Sequence, residues 1–182
     1  MTIQVIQVIL PQTRNPDEVS VTVKAFIEAG LQAELMDLLE KLVLHNNEFS
    51  KNKSLQNLLI LTAITTDTSK VKAFLNRLDE YDGNDIAVKC VENNLFEEAF
   101  FIYDQKVKKP DDAIDVLIKN IQDLKRAAIY AEKINMPVVW GKLGRALLTS
   151  GDAEGAIDAF IKANDCEMTS RSEERFSRNA ET

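Results

Sequence analysis

The side chains that could carry chemistry are few, and their spacing argues against most reactions. His45 is the only histidine, so any Ser-His-Asp or Cys-His arrangement must use it, and no nucleophile elbow accompanies it. No cysteine or carboxylate stands near it at metal-ligand spacing, and its place near a helix end suits an imidazole that meets free carbonyls. Gly141-Lys142-Leu143-Gly144 has the outline of a phosphate loop. It lacks the upstream glycine and the Ser/Thr after lysine, and an apolar helical period around Trp140 runs through it. It reads instead as two small residues at a helix contact. The acid clusters Asp79-Glu80-Asp82, Glu97-Glu98 and Asp111-Asp112-Asp115 lack the alternation of a calcium loop and read as solvated faces and helix starts. Lys106, Lys108 and Lys109 form a short basic patch without aromatics at stacking spacing. Phe96, Phe100, Phe101 and Tyr103 fall at helical spacing and read mainly as core, where one exposed ring could anchor a partner. No catalytic, cofactor-binding or metal-ligating residue is expected, and no cofactor.

Bulk properties point the same way. Of 182 residues, 45% are hydrophobic and 28% charged, a composition that folds. The formal charge of −7 disfavours nucleic acid and anionic membrane, which a basic stripe would meet. Cys90 and Cys166 stand 76 positions apart, far from the density of a secreted disulfide framework, so a cytosolic compartment is expected. Asn52-Lys53-Ser54 is then a coincidental sequon. The longest apolar runs, such as Leu58 to Ile64, are too short to cross a bilayer, and no signal peptide is visible at the start of the chain.

The elements that must position these residues are helices. Apolar side chains recur at helical spacing at Leu31, Leu35, Leu38, Leu39, Leu42 and Val43, at Val71, Phe74, Leu75 and Leu78, at Leu124, Ala127, Ala128, Ala131 and Ile134, and at Ala153, Ala156, Ile157, Phe160 and Ile161. Leu55 to Ala63 is apolar on more than one face, as in a helix packed on both sides. Asn15-Pro16 and Lys109-Pro110-Asp111-Asp112 have helix-start chemistry, Asp67, Asp123 and Asp152 stand at N-caps, and Gly30, Gly83 and Gly151 mark ends or turns. These signals predict helices over 16–29, 31–45, 54–66, 68–80, 84–93, 95–106, 110–121, 123–134, 137–149 and 152–164, with a further short piece at 3–10.

The organising feature is a repeat. Asp67, Leu95, Asp123 and Asp152 open four helices at spacings of 28, 28 and 29. Four residues into each lies Val71, Ala99, Ala127 or Ala156, and four further on come Leu75, Tyr103, Ala131 and Phe160. Small residues at the shared position let successive helices approach closely. A hairpin of this length cannot bury its apolar face alone and stacks on others of its kind. The fold class is therefore all-α: a solenoid of stacked helical hairpins of about 28–29 residues, its handedness left open.

Longer strings carry a resemblance. Asp17 to Phe26, Leu55 to Ile64, Asn76-Arg77-Leu78-Asp79 with Tyr81-Asp82, Leu95 to Phe100 and Glu154 to Ala163 follow in order the pattern of the clathrin heavy-chain family. The similarity runs from about Gln4 to Cys166. It implies a leg segment near the distal segment and knee, in a family whose three-legged trimers interweave into the polyhedral lattice of coated pits and vesicles on the cytoplasmic side of membranes. The implied partners are other heavy-chain legs and, in the full-length protein, the trimer and its light chains. Light chains bind mainly the proximal leg, so none is placed on this segment. The resemblance implies no catalytic residue, no nucleic acid and no direct membrane insertion. The other reading is a related solenoid of a tethering or vacuolar sorting complex that presents a groove to a peptide. Arg171 to Thr182 departs from the pattern and resembles one reading frame of a sequencing-adapter oligonucleotide. Residues 1–168 are thus expected to form the solenoid and 169–182 a disordered, adapter-derived tail.

Overall fold

A computed structural model of the chain describes residues 16–45 and 49–164. The piece expected at 3–10, the Asn15 cap and the tail from 169 lie outside the described residues. Within them every regular element is a helix. In chain order these are α1 (Pro16–Glu28), α2 (Gln32–His45), α3 (Lys53–Thr66), α4 (Thr68–Arg77), α5 (Gly83–Glu92), α6 (Phe96–Phe101, continued as a π-helix over Ile102–Val107), α7 (Pro110–Asp115, continued as a π-helix over Val116–Ile121), α8 (Leu124–Ile134), α9 (Pro137–Thr149) and α10 (153–164). The chain divides into two compact units, one up to Glu98 and one from Ala99 onward.

In the first unit each helix packs on its successor from α1 to α4, and α3 also packs on α5. The leucine stripe of α2 is the centre of this core: Leu35, Leu38, Leu39, Leu42 and Val43 are buried, as are Leu59, Ile60 and Ala63 of α3 and Val71, Phe74 and Leu75 of α4. Three partners for α3 explain why its apolar residues go round the helix rather than along one side. Its two buried polar side chains are both satisfied. Thr62 donates to the Leu58 carbonyl at 2.8 Å. The Gln56 amide donates to the Ser50 carbonyl at 2.6 Å, and its oxygen accepts from the Glu80 amide at 2.9 Å.

That last bond belongs to a departure from expectation. The helix predicted over 68–80 stops at Arg77, because Leu78 turns extended (φ −102°, ψ 144°). Leu78 and Tyr81 still bury their side chains. The freed backbone is met by α3, where Gln56 receives the Glu80 amide and Asn57 the Asp82 amide at 2.7 Å. Gly83, expected at an end or turn, is instead the first residue of α5.

The second unit alternates in the same way. α7 packs on α8 and α9, α8 on α9, and the π-helical ends of α6 and α7 lie against α7 and α8 respectively. Its core holds Ala113, Ile114, Leu117, Ala127, Tyr130, Ala131, Val139, Trp140, Leu143 and Ala159. α10 contributes differently from its predicted stripe. Ala156 and Ala159 are buried, whereas Ile157 is 60% exposed, Phe160 38% and Ile161 54%. The small residues of α10 are its buried ones, while the partly exposed Phe160 lays its ring against α9. The approach is close: a β-carbon on Gly144 of α9 would lie 2.8 Å from the Phe160 ring. Gly141, by contrast, has open space where its side chain would be, so only one of the two glycines serves as a helix contact.

Helix boundaries follow local chemistry. Asp67, Asp123 and Asp152 accept from the amides of Ser69, Arg126 and Gly155 at 3.0–3.1 Å. Leu95, at the matching repeat position, has no side-chain acceptor to cap with. Its amide instead closes α5 on the Cys90 carbonyl at 2.8 Å, with Asn94 left-handed (φ 61°). That is the six-to-one closure also made after Gly30 and Gly151. The π-helical ends of α6 and α7 were not anticipated. Each wide turn finishes on a left-handed Lys108 (φ 55°) or Gln122 (φ 59°), residue types that do not announce that conformation.

The four first repeat positions, Val71, Ala99, Ala127 and Ala156, are all buried. Of the second set, Leu75 and Ala131 are buried, Tyr103 is half-buried and Phe160 is the exposed member. Replacing Ala127 with leucine should cost about 1–3 kcal/mol by overpacking, whereas Lys125→Ala, at an exposed position of the same helix, should stay within about ±0.5 kcal/mol. Chemical denaturation of the two variants checks this; equal effects would put the repeat register wrong.

Candidate functional site

His45 and Cys90, the isolated reactive groups among the described residues, stand on different helices. His45 closes α2. Cys90 is buried in α5 as a free thiol, and burial, with Glu98 adding to it, pushes its pKa up to about 12. A thiol raised in the fold favours the native state fully below its unfolded value and loses that contribution as pH climbs from about 9 toward about 12. In a Cys166→Ser chain, Cys90 should therefore be inert to Ellman's reagent at pH 8 until denaturant is added; reaction at a free-thiol rate in buffer would place it at the surface. Cys166 lies outside the described residues. Asn52, the sequon residue, caps α3 by accepting from the Leu55 amide at 3.1 Å. Gly141-Lys142-Leu143-Gly144 lies inside α9 and so offers no loop of amides. Among the described residues no group of three His, Cys, Asp or Glu could hold a metal ion, and no helix is long and apolar enough to cross a membrane.

The polar side chains instead join one hairpin to the next. Lys142, held mostly out of solvent on α9, donates to the Asp111 carbonyl at 2.6 Å and lies 3.2 Å from the Asp115 carboxylate and 3.8 Å from that of Asp111. Two acids that read as a solvated helix start thus hold a lysine from the next hairpin. Asp82, likewise in an acid cluster, takes Lys53 at 3.0 Å; that bond holds its carboxyl below the usual range. Asp67 is lowered first by the Ser69 hydroxyl. Each carboxylate, its pKa depressed by folding, favours the native state above its unfolded value and loses that contribution as pH falls through its folded one. Asp104, at the π-helical end of α6, accepts from the Tyr130 hydroxyl at 3.1 Å and pairs with Lys133 at 3.6 Å.

Aromatic residues complete these joints. Phe100 meets Tyr130 edge to face, ring centres 5.3 Å apart at 74°, and the Arg126 guanidinium stands 5.9 Å from its centre. Phe96, Phe100, Phe101 and Tyr103 are all half-buried, neither full core nor free anchors. The Trp140 indole donates to the Asn135 side chain at 3.0 Å and lies beneath the Lys162 ammonium at 4.5 Å. Around it α8, α9 and α10 enclose an open groove of about 440 Å³, its floor Leu124, Ala128, Trp140, Leu143, Leu147 and Ala159.

Residues 10–155 match the family described as Region in Clathrin and VPS. The chain belongs to the clathrin repeat family. Its relatives include the clathrin heavy chain of Dictyostelium discoideum, 50% identical over 164 residues, 90% of this chain and 10% of that protein. The clathrin heavy chain of Drosophila melanogaster and clathrin heavy chain 2 of Homo sapiens are each 48% identical over 162 residues, or 89% of this chain. This clathrin-family chain thus spans about a tenth of the length of these relatives. The all-α hairpin repeat read from the residue spacing agrees with membership of this family. The lysine bonds between hairpins were missed, although a signal existed: acids and lysines stand apart by nearly the same interval as the apolar repeat.

Proposed function

We propose that this chain is a leg segment of a clathrin-type heavy chain and contributes structure, not catalysis, to the polyhedral coat of coated pits and vesicles at the cytoplasmic face of membranes, in endocytosis and intracellular protein transport. The observation that carries it is identity of 45–50% to clathrin heavy chains over about nine tenths of the chain. The helical hairpins support it: their side chains are spent on packing and on bonds between neighbours, which suits a stiff leg making many weak lateral contacts. The partners in this reading are other heavy-chain legs. Trimerisation and light chains belong to the longer protein, with no light chain on this segment. The family description also covers vacuolar sorting proteins, which keeps the sorting or tethering scaffold as the second reading.

A cellular experiment separates the two. A fluorescent Dictyostelium discoideum heavy chain carrying this segment in place of its own should, in cells without their native heavy chain, form puncta at the plasma membrane and restore fluid uptake. A normally expressed, trimeric chimera that stayed diffuse would overturn the coat reading, and recruitment to a vacuolar tether would favour the other.

A further inference from the structure

Five lysines are ion-paired between hairpins in one pattern. Lys70 reaches Glu40 at 3.3 Å, Lys53 reaches Asp82 at 3.0 Å, Lys133 reaches Asp104 at 3.6 Å, Lys142 reaches Asp111 and Asp115, and Lys162 reaches Glu132 at 3.4 Å. In order these join α2 to α4, α3 to α5, α6 to α8, α7 to α9, and α8 to α10. Each skips one helix and so links the matching helices of successive hairpins. Four carry a lysine hydrogen bond across 29 to 31 residues, one repeat. Lys89–Glu92, Lys109–Asp112 and Lys119–Asp115, by contrast, are one-turn pairs within the chain's local helical stretches.

Apolar contact between hairpins is non-directional and tolerates rotation, above all where the touching residues are alanines. A charge pair beside that contact favours one angle. Its hold depends on screening, which is strong for exposed pairs and weak for sheltered ones. The rungs differ in this respect: Lys142 is 20% exposed and also holds a backbone carbonyl, whereas Lys162 and Glu132 are 48% and 65% exposed. We propose that this lysine–carboxylate ladder sets the angle between successive hairpins within each unit, with the α7–α9 rung a stiff joint and the α8–α10 rung a compliant one, so that bending responds to ionic strength.

Hydrogen–deuterium exchange on the full chain at 20 and 500 mM NaCl tests it. Amides of α8 and α10 should exchange about two- to five-fold faster at high salt, the size expected of exposed ion pairs, while those of α7 and α9 change less. The pair Glu132→Gln with Lys162→Gln leaves net charge unchanged and should abolish the α8 and α10 response. Reversal of both charges, Glu132→Lys with Lys162→Glu, should retain it, and Lys142→Met should speed exchange in α7 and α9 at both salts. A response that survives the glutamine pair, or one uniform over all helices, overturns the ladder. Circular dichroism of each variant identifies any that fail to fold, for which Lys142→Arg, keeping the charge, is the fallback comparison and should exchange as the parent does.

Discussion

Replacing Trp140 with alanine should destabilise the second unit by about 3–5 kcal/mol, the range of large aromatic truncations in cores. The indole is buried among Val139, Leu143, Ala131 and Ala159. It satisfies the Asn135 side chain through its N–H and carries the Lys162 ammonium on its face, so one truncation removes packing, a hydrogen bond and a cation–π contact together. The neighbouring groove of about 440 Å³ can admit water to the space left behind, which favours the lower part of the range. Trp140→Phe keeps most of the volume and should lose about 1–2 kcal/mol, chiefly the bond to Asn135. Denaturant unfolding of both variants checks the difference. A cost below about 1 kcal/mol for the alanine variant would mean the indole does not join α9 to α8 and α10.

Gln56→Ala should cost the first unit about 2–3 kcal/mol although it deletes a polar side chain, since leaving buried polar groups unmet costs about 1–3 kcal/mol. The amide is buried and bonded at both ends, to the Ser50 carbonyl and the Glu80 amide, and it ties the loop before α3 to the extended segment after α4. Gln56→Met keeps the volume and removes both bonds, so its loss measures the hydrogen-bonding share directly. Asn76→Ala, at an exposed residue whose side chain bonds only its own helix, should change stability by less than about 0.5 kcal/mol. If the glutamine and asparagine variants were equal, the Gln56 bonds would contribute nothing to holding the extended segment.

Gln56 also marks where sequence patterns stop being informative. Helix spans were legible where the apolar period agrees with an N-cap acid or a proline at the start, and Asp67, Asp123 and Asp152 do cap. The end of α4 was not, because Leu78 continues the helical apolar stripe while its backbone leaves the helix, and two acceptors on α3, distant in sequence, meet the freed amides. The left-handed Lys108 and Gln122 had no local signature: neither residue type favours that conformation, and the wide turns they close lie against the next helix. α10 misled for the opposite reason. Ile157, Phe160 and Ile161 have a helical apolar period, yet they stay largely exposed while Ala156 and Ala159 are buried, and the Phe160 ring meets α9 at Gly144. The acids of Asp111-Asp112-Asp115 read as solvated because local spacing was weighed and the one-repeat interval to Lys142 was not.

The proposed coat-leg role of this chain is tested most directly by cage assembly in vitro. A purified Drosophila melanogaster clathrin heavy chain in which this segment replaces its counterpart should assemble under the conditions that assemble the parent protein, and electron microscopy should show closed polyhedral cages of the same lattice. Chimeric trimers that are folded and monodisperse yet form no closed cages would contradict it.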